Sequence, residues 1–307
     1  MRAAYRNTQT ATFALLAAGA VLLGATGTAA AADLGAGPPV AEERPPPSPS
    51  AWTFSFTPYS WLSGLDGSTT VRGRTTDIDA DAIEVLEHLD GVPWMSYGEA
   101  RNGPLAFYGD IIYAPLGTDA GRTRSLGRLT LDANLGVDVR ETIAEAGVIY
   151  EIASWRAGGL MGLGTGPTAL DVLAGARYWR QEVEARLALT ATLDVAGLTL
   201  AGSRAIARSG DVEWVDPLVG LRLRHQMAPG QELVLRGDVG GFDAGSTFSW
   251  NVVGAYSFEI AAHAGVTYSG ILGYRALGVD FEKGSGLSRF EYDVVQHGPL
   301  LGLTVSF

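Results

Sequence analysis

Every second residue of TFSWNVVGAYSF falls into one of two classes. Phe248, Trp250, Val252, Gly254, Tyr256 and Phe258 make one face, with rings at both ends and aliphatic or small residues between. Thr247, Ser249, Asn251, Val253, Ala255 and Ser257 make the other, which is small and mostly polar. Period two over a dozen residues predicts a long strand, and rings at both ends of its apolar face fit a strand crossing a bilayer. The pattern recurs. Leu233, Leu235 and Val239 alternate with Arg236 and Asp238, and Val219, Leu221 and Leu223 with Asp216, Arg222 and Arg224. Leu170, Val172, Ala174, Ala176 and Tyr178 oppose Asp171 and Arg177. Val148, Tyr150 and Ile152 oppose Glu145 and Glu151, while Phe107, Ile111 and Tyr113 oppose Asp110. Glu99 and Arg101 share one face.

A strand that crosses a bilayer needs about 9–11 residues, and these segments qualify. Tight turns at ARNGPL, QMAPGQE and FEIAAH alternate with longer connections at 63–92, 116–132, 184–211 and 283–288. Short turns on one side and long loops on the other are the rule of an up-and-down transmembrane β-barrel. The pattern predicts an all-β, antiparallel barrel of about ten strands, with eight to twelve open, because 66–77 and 188–200 each have room for another. The expected strands are 51–62, 93–102, 105–115, 135–156, 168–183, 212–226, 231–243, 246–258, 263–282 and 289–307. A sheet edge cannot stay open in lipid, so the last strand is expected to close on the first. Leu301, Leu303, Val305 and Phe307 then face lipid, and Leu303, Val305 and Phe307 form a C-terminal aromatic pattern of the kind recognised by barrel-insertion machinery.

Residues 1–32 read as a signal peptide: Arg2 and Arg6, an apolar stretch from Phe13 to Ala25, then small residues from Ala29 to Ala32. GAGPPVAEERPPPSPS within 33–50 reads as an extended, Pro-rich periplasmic linker, which leaves 51–307 as the barrel. The full chain carries 22 basic and 33 acidic residues. Cleavage after the signal leaves 20 basic against the same 33 acidic residues, a balance of −13 that argues against nucleic acid as a partner. There is no cysteine, hence no disulfide or thiolate chemistry. The expected partners are outer-membrane lipid, lipopolysaccharide and the insertion machinery.

Charged residues at inward positions carry the functional reading. Glu99, Asp110, Glu145, Glu151, Asp171, Asp216 and Asp238 face Arg101, Arg177, Arg222, Arg224, Arg236 and Arg275, seven acids against six bases. The excess acid of the chain must therefore lie mostly on loops and linker. A barrel of eight to ten strands is filled by its own side chains, so interspersed Arg and carboxylate predict a packed ion-pair network. The competing reading is a narrow charged filter.

One segment departs from period two. In Asp79–Asp90, Ile83, Leu86 and Leu89 recur at helical spacing, and Asp81 with Glu84 resembles a capping box. A short amphipathic helix is expected there, as a lumen plug or a cover for the rim. DIDAD has the alternate aspartates of a calcium loop but lacks its Gly and its closing Glu, so no metal is assigned. His88, His225, His263 and His297 fall on separate segments, with no metal-ligand spacing. His225 and His263 read as solvated imidazoles near turns, and His297 as a mid-strand residue serving packing or the lumen. GLGTG at 162–166 is a turn and not a phosphate loop. No catalytic residue and no cofactor are assigned.

Several stretches resemble a widespread family of proteobacterial outer-membrane β-barrel proteins, porin-like or opacity-like: WTFSFTPYSWLSGLDG, LDVLAGARYW, RGDVGGF, GYRALGVDFEKG and FEYDVVQHGPLLGLTVSF. The resemblance implies a barrel fold and an outer-membrane location, but no substrate. The expected function is a non-enzymatic barrel with a largely occluded lumen, in an envelope or surface-display role. A narrow porin-like channel is the alternative. An adhesin acting through 184–211 ranks third, and a lipid-modifying enzyme last.

Overall fold

A computed structural model describes residues 52–307 apart from 72, 127–128, 157–165 and 196–197. The expected signal and linker, and all but the last residue of GLGTG, lie outside the described residues. Among the described residues, twelve antiparallel strands form one sheet: β1 (Thr53–Trp61), β2 (Gly64–Val71), β3 (Arg74–Ala80), β4 (Trp94–Asn102), β5 (Leu105–Leu126), β6 (Leu129–Arg156), β7 (Pro167–Val195), β8 (Leu198–Ala228), β9 (Gln231–Gly241), β10 (Phe248–His263), β11 (Val266–Lys283) and β12 (Phe290–Ser306). β1 and β4–β12 close a ring of ten, because β1 pairs with β12 from Ser55↔Ser306 to Trp61↔Leu300. Closure leaves no open edge where lipid would strand peptide groups.

Each expected strand coincides with one strand of the ring. Its short turns are two residues long between β4 and β5, β8 and β9, and β10 and β11. The two-residue turn between β10 and β11 requires positive φ at both positions, and Ala264 and Gly265 adopt 51° and 83°. At the closing seam the backbones of Phe54 and Phe307 exchange both hydrogen bonds, and their rings stack at 5.8 Å.

Of the expected long connections, 116–132 is corrected outright, while 63–92 and 184–211 do hold the additional strands left open at 66–77 and 188–200. Residues 116–132 and 184–211 are largely strand: β5–β6 and β7–β8 remain paired to Leu126↔Leu129 and Val195↔Leu198, with no register shift above the barrel. Short side chains there (Ala, Gly and Thr) blur an alternation that the ladder hydrogen bonds enforce. The 63–92 connection holds the β2–β3 hairpin and a helix, α1 (Ala82–Glu87). β2 takes over from β1 along the upper half of β12, from Gly64↔His297 to Val71↔Phe290.

Outward positions are apolar. Val148, Tyr150, Ile152, Val219, Leu221, Leu235, Val252, Leu272 and Leu301 are 40–53% exposed, an apolar band that needs a nonpolar surround. Trp52, Phe54, Phe107 and Phe307 gather at one end of the band, near the short turns, where Trp52 stacks on Phe107 at 6.2 Å. No helix among the described residues is long and apolar enough to cross a membrane.

Candidate functional site: a cross-braced barrel interior

Inward positions bring twelve of the thirteen expected charged residues into two connected networks. In the lower one, Asp171 on β7 accepts from Arg222 Nε at 2.8 Å and Arg224 Nε at 3.0 Å, both on β8. Arg224 reaches Glu151 on β6 at 2.8 Å. Arg222 donates to Glu99 on β4 at 2.6 Å, and Glu99 also accepts from Arg101 Nε at 3.1 Å and the Tyr97 hydroxyl at 2.7 Å. Three carboxylates meet three guanidiniums.

The upper network has the same balance. Arg177 donates to Glu145 at 2.8 Å and to Asp238 at 2.6 Å. Arg236 binds Asp238 at 3.0 Å, Glu145, and the Tyr108 hydroxyl at 3.4 Å. Asn251 bridges onward, donating to Asp238 at 2.8 Å and accepting from Arg275 Nε at 2.9 Å. Arg275 then reaches Asp110 at 2.7 Å, and Asp110 also accepts from the Tyr59 hydroxyl at 2.7 Å. Arg177, Asp171 and Asp238 have no exposed side-chain surface, so desolvation is offset only because each ion meets several partners in fork geometry. Gly147 makes room for this: a Cβ there would lie 2.7 Å from the Tyr108 ring.

These bonds cross the barrel. Arg222–Glu99 joins β8 to β4 and Arg275–Asp110 joins β11 to β5, each four strands apart in a ring of ten. A third crossing lies nearer the long-strand end, where Gln296 on β12 donates to both oxygens of Glu141 on β6 at 2.7 and 2.8 Å. Between that crossing and the upper network, in the row of Ile143, buried Trp179 and Trp214 stack at 5.5 Å, and Trp214 stacks on Phe281 at 4.0 Å.

Several placements differ from expectation. Asp216 is fully buried and stands opposite Arg177 in register, yet its carboxylate accepts from the Ser246 backbone N–H at 2.6 Å and hydroxyl at 2.8 Å. It ties down the β9–β10 turn and stands outside both networks. His225 is buried and bonded to Thr168 at 2.8 Å, its register partner at the short-turn ends of β7 and β8, so the solvated reading is corrected. His297 shares the outward parity of Leu301, and so leaves the lumen to bond Tyr274 at 2.7 Å and Asp66 at 2.8 Å. The helix forms with Asp81 as its cap, accepting from the N–H groups of Ile83 and Glu84 at 2.9 and 2.8 Å. It buries none of its residues. Ile83 is 67% and Leu86 44% exposed, and Leu89 pairs with Leu116 on β5, so the segment belongs to the rim and does not plug the lumen.

Uncharged members of the site were not anticipated: Gln296, Asn251, Tyr59, Tyr97 and Tyr108, together with the acid Glu141. Their signal was parity. Glu141 precedes Glu145 by four positions on the same face, and Asn251 lies on the polar face of its own alternating stretch.

No protein-family model matches this sequence, and no curated protein matches it. Among solved structures, Ail of Yersinia pestis aligns with a TM-score of 0.28 and 11% identity, covering 84% of this chain and 99% of its own. A Pseudomonas aeruginosa FadL homologue aligns at 0.26 and 10%, covering 83% and 90%. The P. putida toluene transporter TodX aligns at 0.22 and 9%, covering 84% and 90%. Scores this low lend nothing to a functional reading, and the barrel stands on its own hydrogen-bonded closure.

Proposed function

We propose that this chain is a non-enzymatic integral outer-membrane barrel with an occluded lumen, serving the envelope as a structural element or as a platform that displays its long strands outside the cell. The observation that carries the reading is the crossing of the interior at three levels by direct hydrogen bonds between walls four strands apart. A solute would have to break Arg222–Glu99, Arg275–Asp110 and Gln296–Glu141 in turn. Within each network every carboxylate bonds directly to a guanidinium, so the opposed charges that a filter would hold apart are joined. Membrane insertion is supported by the exposed apolar band and by aromatic rings near the short turns. Lipid and lipopolysaccharide are the partners this band would meet, and the Leu303–Val305–Phe307 pattern would engage the insertion machinery. The test is single-channel recording of the purified protein in a planar bilayer. A flat baseline is expected, and large, regular current steps would refute occlusion.

A further inference from the structure

Above the ring, β5–β8 continue as a four-stranded sheet in unbroken register. Glu141 on β6 and Gln181 on β7 share the row where this sheet leaves the packed interior. One inward row higher, Val183 is 39% exposed, and Leu135 and Ile206 beyond it are 43% and 38% exposed. One inward row lower lies the buried Trp179–Trp214 stack. On the outward face of the adjoining row, exposed Arg140 and Glu182 pair at 3.8 Å, so Glu141 stands above the apolar band.

Glu141 is 9% exposed and has no counter-ion among the described residues. Every group that faces it is neutral. From β12, Gln296 donates to both of its oxygens, and the Tyr292 hydroxyl stands at 3.5 Å. From β7, Gln181 donates at 3.4 Å. The register partners that complete these rows on β5, β8, β11 and β2 are apolar: Ala114, Val212, Leu277 and Leu65. The next acid on its own strand is Glu145, which Arg177 and Arg236 already hold. The two lower crossings join a carboxylate to a guanidinium, whereas this one rests on a lone carboxyl. A buried carboxylate without a cation is costly, and its neutral form is favoured. Burial pushes the Glu141 carboxyl up, and the hydrogen bonds from Gln296, Gln181 and Tyr292 offset this only in part.

We propose that Glu141 is a proton-dependent latch at the long-strand end of the barrel: protonated, it holds the β5–β8 sheet to β12, and on ionisation it turns one row outward into water and opens the mouth down to the Trp179–Trp214 stack. The exposed row of Val183 offers the ionised carboxyl hydration, and no side chain facing it offers a charge. In the open form the carboxyl has the ordinary glutamate value of about 4.3. A higher value in the closed form favours closure at low pH, and that advantage is lost as pH rises through it. The inference rests on the occluded reading for a closed mouth, and single-channel recording at about pH 5 tests that reading by itself. Arg222–Glu99 and Arg275–Asp110 keep their own counter-ions, so a flat baseline is expected even where the latch opens.

The chain has no cysteine, so Val212→Cys places a single thiol in the latch row, beside Gln181. The full chain in phosphatidylcholine nanodiscs is labelled with a charged methanethiosulfonate. At each pH the rate is divided by that of Val212→Cys/Glu141→Gln, which cancels the titration of the thiol. The ratio should rise about tenfold or more between about pH 5 and about pH 9, the change set by each unit of elevation. Adding Gln296→Lys to Val212→Cys supplies the missing counter-ion from the opposite wall and should keep the ratio flat, a rescue that altered packing alone would not give. Heat-modifiable migration on gels verifies that each variant is folded, and the Lys variant serves as the reference if Glu141→Gln does not fold. A ratio that stays constant over the range overturns the proposal, and so does a rise that persists in folded Gln296→Lys.

Discussion

Replacing Arg275 with Met removes one guanidinium that holds two walls together. Arg275 is 4% exposed, and its partner Asp110 on the far wall is 9% exposed. The substitution leaves Asp110 buried with only the Tyr59 hydroxyl, and frees the acceptor of Asn251. Removing one member of a buried ion pair costs about 3–5 kcal/mol, mostly because the surviving charge stays desolvated. A loss of 4 kcal/mol changes the folded-to-unfolded ratio by roughly a thousandfold. Arg275→Met/Asp110→Asn removes the stranded charge as well, and should regain most of that loss. Urea unfolding in lipid vesicles, followed by tryptophan fluorescence, measures both variants. Trp61 is a local reporter, since its ring centre lies 5.1 Å from the Arg275 guanidinium carbon. The single variant should also admit intermittent current in a planar bilayer. A single variant that loses under about 1 kcal/mol, the range of surface pairs, would refute the brace. A double variant as unstable as the single one would show that lost packing, and not stranded charge, dominates.

Trp214→Ala should cost about 3–5 kcal/mol in the same unfolding assay and weaken the near-ultraviolet circular dichroism of the stacked rings, because Trp214 is buried between Trp179 and Phe281. Asp280 lies on β11 six residues above Tyr274, about 20 Å along the strand and beyond the apolar band. Desolvation first, then Asp293, Glu291 and Glu282, push its carboxyl up. A raised folded pKa contributes stability below the unfolded value that is lost as pH rises, so Asp280→Asn should resist urea better than the parent at pH 7. The advantage should disappear below about pH 4. Phe307→Ala removes the ring stacked on Phe54 at the seam and should slow folding into vesicles, measured by the appearance of the heat-modifiable band.

Period two made the barrel readable from the chain alone. A strand with lipid on one side and a filled interior on the other must alternate, so Val252 and Asn251, or Leu221 and Arg222, declare their faces without any knowledge of neighbours. The same parity assigned the thirteen inward charges, because the direction of a side chain on a strand is a local property. Partner choice is not local. Sequence spacing gives no sign that Arg275 meets Asp110 across the ring or that Asp216 turns to Ser246, because strand tilt and register decide which inward residues share a level. The projecting sheet, beyond the strand left open at 188–200, was hidden for a related reason. Ala, Gly and Thr alternate weakly, and residues 116–132 and 184–211 become strand through ladder hydrogen bonds to each other. The helix was foreseen from its cap and spacing, but its seat at the rim depended on the β2–β3 hairpin and on the bridge between Leu89 and Leu116. Sequence determined which way each side chain points, since that follows from the geometry of one strand. Only the closed ring decided what each side chain meets, since that requires ten strands in one register.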